Sequence, residues 1–439
     1  MHTKATIGQD SIWSLPVRSH GDRDPSWMIL PLHISIPGSN PEEMHRRSKQ
    51  ALEGILGRHE GLRTTISLSP DGYLSQQVNG FDTYELPLLE VSEKGFTEEC
   101  RKAAASLTSP RFNLAEENPM RARLVTCDSA GVLILAIHHV AADAASIEVL
   151  EKDFKDTLSS GTFSSARPMQ PRDLAAYEQS PHGVAHRARS IEYLRRCAAS
   201  SPTSIFPDTY DSGGRFAMTT SYCPEVFDSA HAAARALKVS VQSIWLAALA
   251  LYLRTQLGAP VSRILTHVSN RIIPGSLDSV ANLARIAPIV LPLDGRADFE
   301  STAKLCLKST MRAMYSGLSS SRDYWQSKDK HGANGEQLRD EVYYNYIPAR
   351  VAGSRPGRTV RLETVEREKG PTFELQVIEK TSEIQLSVAI SQCPDPESVV
   401  RWIESCIVGV ARNPGISLQG LRFPESRHIP ELNLLQGEE

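Results

Sequence analysis

The sequence predicts an α+β protein built as two halves that meet face to face. Helix-period and strand-period patterns are mixed in both halves, and a Ser-, Gly- and Pro-rich stretch between Ser159 and His182 separates them. The length, 439 residues, exceeds what one average domain holds. The expected division is therefore 1–160, a crossover at 161–182, and 183–439. Hydrophobic residues make up 41% and charged residues 23%, which excludes collagen-like, disordered and disulfide-scaffold chains.

Each half shows its elements in order. Asn40 as N-cap, Pro41 at the first helical position and Glu42 and Glu43 at the positive end of the dipole start a helix. Met44, Ser48, Ala51, Leu52 and Ile55 share one of its faces. A strand is expected before it over Trp27–Ile36 and another after it over Leu62–Leu68, closed by the turn Ser69-Pro70-Asp71-Gly72. Arg121–Cys127 and Val132–His139 form a hairpin whose second strand has no polar face, so it is expected to be buried on both sides. A helix over Ala145–Leu158 follows. The second half opens with a helix near 185–198 and a strand near Ser221–Phe227. The helix Val241–Leu257 is apolar all round and ends at Gly258, so it reads as central. Strands at Arg263–Val268 and Ile286–Leu293, polar loops at Gln326–Arg339 and Ala352–Arg358, a hairpin Phe373–Ile378 with Ile384–Ile390, and a helix starting at Asp395-Pro396-Glu397 complete the chain. The tail after Pro430 is expected to be loosely held.

Charge and cysteine usage narrow the partners and the compartment. Lys and Arg number 48 against 51 Asp and Glu, a net charge of −3 that gives no electrostatic reason for nucleic acid or an anionic membrane as partner. The longest apolar helical run, Ile244–Leu253, is far short of the ~20 residues a bilayer needs. The start of the chain lacks the pattern of a signal peptide. Seven cysteines form no Cys-x-x-Cys pair and read as reduced thiols, so a cytoplasmic protein is expected.

Chemistry is concentrated where the buried strand ends, at Ile137-His138-His139-Val140-Ala141-Ala142-Asp143-Ala144-Ala145-Ser146. Neighbouring residues of a strand point to opposite faces, so His138 and His139 do not share one small ligand. That weighs against a paired-histidine metal site, and no His-Glu-x-x-His spacing is present. One histidine should face the protein and the other whatever lies at the strand end. Asp143 is placed to hold an arginine or cap the next helix with Ser146.

This segment resembles the His-His-x-x-x-Asp-Gly signature of the condensation domains of nonribosomal peptide synthetases, which are chloramphenicol-acetyltransferase-like acyltransferases. The likeness continues along the chain in order. Thr6-Ile7-Gly8-Gln9-Asp10-Ser11-Ile12-Trp13 is similar to the family's opening segment, and Arg58-His59-Glu60-Gly61-Leu62-Arg63-Thr64 to its Arg-His-Glu-x-Leu-Arg-Thr motif. Phe112-Asn113-Leu114 with Pro119 and Arg123-Leu124, then Asn270-Arg271, then Tyr344-Asn345-Tyr346 match later blocks.

The resemblance implies two acetyltransferase-like domains in a V-shaped pseudo-dimer with a tunnel between them. It implies a reaction in which His139 takes or organises the proton of an amine or hydroxyl attacking a thioester, or positions that nucleophile and stabilises the tetrahedral intermediate. His138 is assigned to packing, and Asp143 to an ion pair with Arg63 or Arg271. No bound cofactor or metal is expected. The donor arrives on the phosphopantetheine of a separate carrier protein, and the acceptor is a small amine or alcohol or a second carrier-bound group. Arg46-Arg47, Arg187–Arg189 and Arg195-Arg196 are candidate carrier-docking positions, with solvated helix faces as the plainer reading.

Two departures stand out. Ala144 occupies the signature's glycine position, which costs about 1 kcal/mol if that site needs positive φ. Arg285 stands where the family has Asn, and it either meets an anionic acceptor or carboxylate or faces solvent. Neither an adenylation domain nor a carrier site is visible, so the likeness is to a free-standing condensation enzyme or to a domain excised from a megasynthase. The competing readings are a coenzyme A-dependent acyltransferase, an epimerase with the same signature, and a non-catalytic recruitment module.

Overall fold

The structure, a computed structural model, describes residues 2–14, 28–206, 216–259, 261–293, 298–329, 338–348, 361–367, 372–389 and 395–414. The expected loop at Ala352–Arg358, the tail after Pro430 and part of the Gln326–Arg339 loop lie outside these residues. Two compact units are present. The first comprises Met1–Ala198, His267–Ala287 and Ala313–His331, the second Ala199–Thr266, Pro288–Arg312 and Gly332–Glu439.

The first unit begins β1 (His2–Lys4), α1 (Ile7–Trp13), β2 (Ile29–Pro37), α2 (Pro41–Arg58), β3 (Thr64–Leu68) and β4 (Leu74–Val78). It continues β5 (Leu88–Glu90), α3 (Phe96–Thr108), β6 (Met120–Thr126), β7 (Ala130–His138), α4 (Ala144–Ser160), α5 (Pro171–Gln179) and α6 (Pro181–Ala199). Asn40 caps α2 by accepting from the Glu43 amide, as its sequence requires. Leu62 and Arg63, expected in a strand, lie instead in a 3₁₀ turn over Glu60–Arg63, and β3 starts at Thr64. Strands β2, β7, β6 and β5 form one sheet in that order, and β1, β4 and β3 form another. β7 is central and antiparallel to both β2 and β6, with Ile29 opposite His138 and Met120 opposite Ile137. Its odd-numbered residues Leu133, Leu135 and Ile137 join the cluster under α2 and α4, while Ile134 and Ala136 join one with Ala103 and Leu107 of α3. A strand sandwiched this way must be apolar on both faces, which is why it shows no alternation.

The expected crossover at 161–182 is largely helical. Pro171 at the first helical position and the Asp173 carboxylate, which accepts from the Gln170 amide at 3.0 Å, start α5, and Leu174 packs with Ile7, Ile273, Ala281, Leu283 and Leu318. The first unit therefore runs on to Ala198, and two later segments return to it, because this apolar cluster needs residues from all three stretches.

In the second unit, β8 (Phe216–Tyr222), α7 (Pro224–Leu237), α8 (Val241–Gln256), β9 (Val261–Ser269), β10 (Ala284–Pro292) and α9 (Phe299–Tyr315) follow, of which the end of β9 from His267, the start of β10 to Ala287 and the end of α9 from Ala313 count with the first unit. The chain visits the first unit again through α10 (Ser321–Asp329). It then closes with β11 (Val342–Ile347), β12 (Arg361–Arg367), β13 (Phe373–Ile378), β14 (Glu383–Ala389) and α11 (Pro396–Arg412). The expected strand at Ser221–Phe227 is corrected. The strand ends at Tyr222, because Pro224 cannot donate to a ladder and instead starts a helix. The seven-stranded sheet has the order β10-β9-β11-β13-β14-β8-β12 and mixes parallel and antiparallel pairs. Helix α8 is wholly buried over Ile244–Leu251, with Trp245 against Phe227 at 5.0 Å, so an all-round apolar sequence is what its position demands. No single described helix is long and apolar enough to cross a membrane. Six cysteines among the described residues are free.

Glu178, near the end of α5, is buried, and burial pushes its carboxyl up to about 7 although Oε2 accepts from the Ile7 amide. A folded-state value above the unfolded one near 4.3 favours folding in acid, and that contribution is lost as pH rises to 7. Glu178→Gln should therefore gain stability over wild type, growing between pH 4.5 and 7 to about 3 kcal/mol and flat above. Urea unfolding at pH 5, 6, 7 and 8 measures it.

Candidate functional site

The site is built where β7 gives way to α4. Adjacent residues of the strand end diverge, as strand geometry requires. His138 is buried, its ring edge-on to Phe112 at 5.5 Å, and its Nδ1 accepts from the Val140 amide at 3.1 Å. His139 is half-buried, with its amide donating to Met28 O at 2.7 Å. Its Nδ1 lies 2.7 Å from Ala142 O. A carbonyl only accepts, so Nδ1 carries the hydrogen and Nε2 keeps the lone pair. Nε2 has no hydrogen-bond partner among the described residues. Asn282 Nδ2 donates to His139 O at 3.0 Å, and its 3.4 Å approach to Nδ1 sets two donors side by side rather than forming a bond.

Asp143 organises the loop from below. It is the N-cap of α4, and its Oδ1 accepts from the Ser146 amide at 2.9 Å and from Ser146 Oγ at 2.8 Å. Arg271 Nη2 donates to the same oxygen at 2.6 Å, and the Leu283 amide to Oδ2 at 3.0 Å. Asp143 and Arg271 are both buried. Burial pushes the carboxyl up, but the Arg271 charge and the Ser146 and Arg271 hydrogen bonds outweigh it and hold Asp143 below the usual carboxylate range. Arg271 also donates through Nη1 to the carbonyls of Ser276, Leu277 and Ser279, at 3.2, 3.0 and 2.7 Å. Ser146 Oγ reaches Ala281 O at 3.0 Å. The strand-end loop and the 270–283 segment are thus tied through one buried ion pair.

The other residues singled out in the sequence fall as follows. Arg63 is not a partner of Asp143. Its Nε donates to Leu56 O at 2.9 Å and its Nη1 to Asn79 O, joining α2 to the end of β4. Ala144 is the first residue of α4 and is not among the residues with positive φ, so alanine carries no strain there. Arg285 does not face solvent, and among the described residues it makes no hydrogen bond to a carboxylate. It is buried, and its Nη1 donates to Asn282 O at 3.3 Å, Asn282 Oδ1 at 3.3 Å and Ala284 O at 2.5 Å. A Cβ on Gly8 would sit 2.8 Å from its Nη2 and 2.1 Å from Asn282 O, so α1 closes over it. Arg285 braces Asn282, which in turn holds the His139 carbonyl.

The motif from Arg58 to Thr64 supports the same loop from behind. Arg58 Nε and His59 Nε2 both meet Asp153 of α4, at 2.8 and 2.7 Å, and Arg167 and Arg172 meet Glu60 at 2.5 and 2.8 Å. Gly61 has to be glycine, since a Cβ there would lie 2.8 Å from Val280 O.

Sequence reasoning missed Asp153 and Asn282. Asp153 looks like any helix-surface carboxylate, and only folding brings it to residues about 95 positions earlier. No group of three or more His, Cys, Asp or Glu among the described residues is arranged to hold a metal ion. A cavity of about 700 Å³ opens elsewhere in the first unit, lined by Trp13, Tyr73, Arg187 and Trp325 among others, and His139 is not among its lining residues. Of the arginines considered for docking, Arg46 pairs with Glu43, Arg187 with Asp323 and Arg196 with Glu192.

Comparisons with known proteins agree on one family. The family model described as "Condensation domain" matches residues 38–390. The nonribosomal peptide synthetase kk1B of Curvularia clavata is 26% identical over 314 residues, covering 68% of this chain and 2% of that protein. The chain thus spans only a small part of that curated relative. Among solved structures, the condensation domain that mediates chain release from the enacyloxin polyketide synthase superposes with a TM-score of 0.71 at 19% identity, covering 94% of this chain and 84% of that one. The first condensation domain of the CDA synthetase gives 0.69 at 15% identity, covering 97% and 100%. These carry the chloramphenicol-acetyltransferase-like fold.

Removing the guanidinium would strand the Asp143 charge. Arg271→Met should cost about 3–5 kcal/mol at neutral pH. The wild-type contribution of Asp143 is complete above the unfolded value near pH 3.9 and is lost as pH falls through its lower folded value. The gap between variant and wild type should therefore narrow below about pH 4, which urea melts from pH 2 to 7 would record.

Proposed function

Because the chain belongs to the condensation-domain family, we propose that it joins a carrier-bound acyl or aminoacyl thioester to an amine or hydroxyl acceptor, forming an amide or an ester. The observation that carries this reading is the state of His139. Its Nδ1–H is committed to Ala142 O, and its Nε2 has no hydrogen-bond partner among the described residues. An imidazole fixed in this tautomer presents a lone pair outward and is held in orientation by its own loop.

The acceptor nitrogen or oxygen attacks the thioester carbonyl carbon while Nε2 of His139 takes its proton. The carbonyl electron pair moves to oxygen. When the tetrahedral intermediate collapses, the C=O bond reforms and the C–S bond breaks. The phosphopantetheine sulfur leaves with the proton returned by the imidazolium. Asp143, Ser146 and Arg271 act by shape, keeping the loop that carries His139 in one conformation; His138 packs inside. The carrier is a separate protein or a neighbouring domain, and the phosphopantetheine belongs to it.

An intact-mass carrier assay tests this. A carrier loaded with acyl-phosphopantetheine is offered a pool of amines and alcohols, with wild type and His139→Ala side by side and circular dichroism confirming that both fold. Acyl loss with a new amide or ester in the wild type, reduced at least about 10²-fold in the variant, is expected. Equal use of acyl-coenzyme A would favour the acyltransferase alternative. No turnover together with tight binding of a carrier or enzyme would favour a recruitment module.

A further inference from the structure

Arg285 sits where an arginine does little for stability. It is buried at the start of β10, and its Nε and Nη2 have no hydrogen-bond partner among the described residues. Nη1 bonds only to oxygens of its own segment, Asn282 O, Asn282 Oδ1 and Ala284 O. A buried guanidinium held this way is costly, and an apolar side chain of similar length would fill the space at least as well. Of the carboxylates in electrostatic reach, Glu178 is pushed up to about 7, Asp143 is paired with Arg271 and Asp10 is half-buried, so none is stranded without it. What the arginine does is orient an amide. Nη1 only donates, so it holds Asn282 Oδ1 at 3.3 Å and turns Nδ2 toward His139, where Nδ2 donates to His139 O at 3.0 Å. We propose that Arg285 is a positioning residue for the reaction, locking the Asn282 amide so that His139 keeps its place and Nε2 its line of approach to the acceptor, a role that rests on the acyl-transfer reading above.

The need for a lock lies in what the amide faces. On the His139 side it meets two unlike groups, the carbonyl that accepts from Nδ2 and the Nδ1–H, 3.4 Å from the same nitrogen. Taken alone, that side is served by either orientation. With the amide reversed, Oδ1 would accept from Nδ1–H in competition with Ala142 O, which now holds it at 2.7 Å. The ring would be drawn off its loop, and the His139 carbonyl would lose its donor. Arg285 removes the ambiguity, because the reversed amide would set Nδ2 against Nη1, donor against donor. Neither partner has room to retreat. A Cβ on Gly8 of α1 would lie 2.1 Å from Asn282 O and 2.8 Å from Arg285 Nη2, so the helix backbone backs both.

The test uses the full chain in the carrier assay, with Arg285→Met, Asn282→Ala and the double variant beside wild type. Arg285→Met should lower kcat about tenfold with KM little changed, the cost of a mispositioned group. Its urea midpoint should stay at or above that of wild type. The double variant should be no slower than Asn282→Ala, because Arg285 acts through Asn282. A methionine variant within about twofold of wild-type kcat, a lowered midpoint, or losses that multiply in the double variant overturns the assignment. NMR of asparagine-labelled protein supplies a readout independent of turnover, with the Asn282 side-chain signals identified by their absence in Asn282→Ala. They should be a single set in wild type and doubled or exchange-broadened in Arg285→Met, and an unchanged single set overturns the lock. A wild type that turns over nothing across a broad donor panel overturns the acyl-transfer reading and this role with it. Wild-type turnover with Arg285→Met equally fast overturns the role of Arg285 alone.

Discussion

The buried Asp143–Arg271 pair is the interaction on which the rest of the site depends. Two charges removed from water are tolerable only when most of their lone pairs and protons are satisfied. Here Asp143 accepts from Ser146, Arg271 and Leu283, and Arg271 distributes its Nη bonds over Asp143, Ser146 and three carbonyls, with its Nε–H unpaired among the described residues. A carboxylate in this position has one low-energy arrangement, so the loop between β7 and α4 has one as well. The stabilisation is modest by comparison with the specificity: a hydrophobic replacement could fill the volume but would not fix the register of 270–283 against α4.

That register decides what His139 does. The last residues of β7 are set by pairing with β2 and β6, and the following turn places Ala142 O against Nδ1. Asn282 reaches the His139 carbonyl from the segment that Arg271 organises, and Arg285 holds Asn282 from the other side. Each support is itself buried, so errors in side-chain position are small. On the far side of α4, Asp153 is gripped by Arg58 and His59. The helix is thus anchored at its cap and three turns later, and it cannot rock without breaking a buried charge pair.

Arg285 illustrates how the environment changes the meaning of a residue. An arginine where the family resemblance implied asparagine suggested recognition of an anion. In the fold it is enclosed under α1, beside Gly8, and its bonds go to main-chain and amide oxygens. A guanidinium spans more distance than an amide, and it is used here to brace Asn282. Ala144 is the opposite case. Its position requires no left-handed backbone, so the loss of glycine leaves the helix start unaffected.

Much of this was legible in the residue order. The capped start at Asn40-Pro41, the apolar-on-both-faces run Val132–Ile137, the all-apolar helix after Ser240 and the His-His-x-x-x-Asp segment are local patterns, and local patterns survive in a linear string. Where expectation and structure part, the cause is long-range. The stretch at 161–182 has a loop-like composition, yet Leu174 finds apolar partners over a hundred residues away and α5 forms. Arg271 rather than Arg63 meets Asp143, and Asn282 and Asp153 join the site, because chain topology sets those distances and no spacing in the sequence records them. The sequence by itself determined which residue types could do chemistry and on which elements they sit. Only the tertiary structure decided which of them meet, since a buried charge chooses its partner by three-dimensional reach and desolvation rather than by position along the chain.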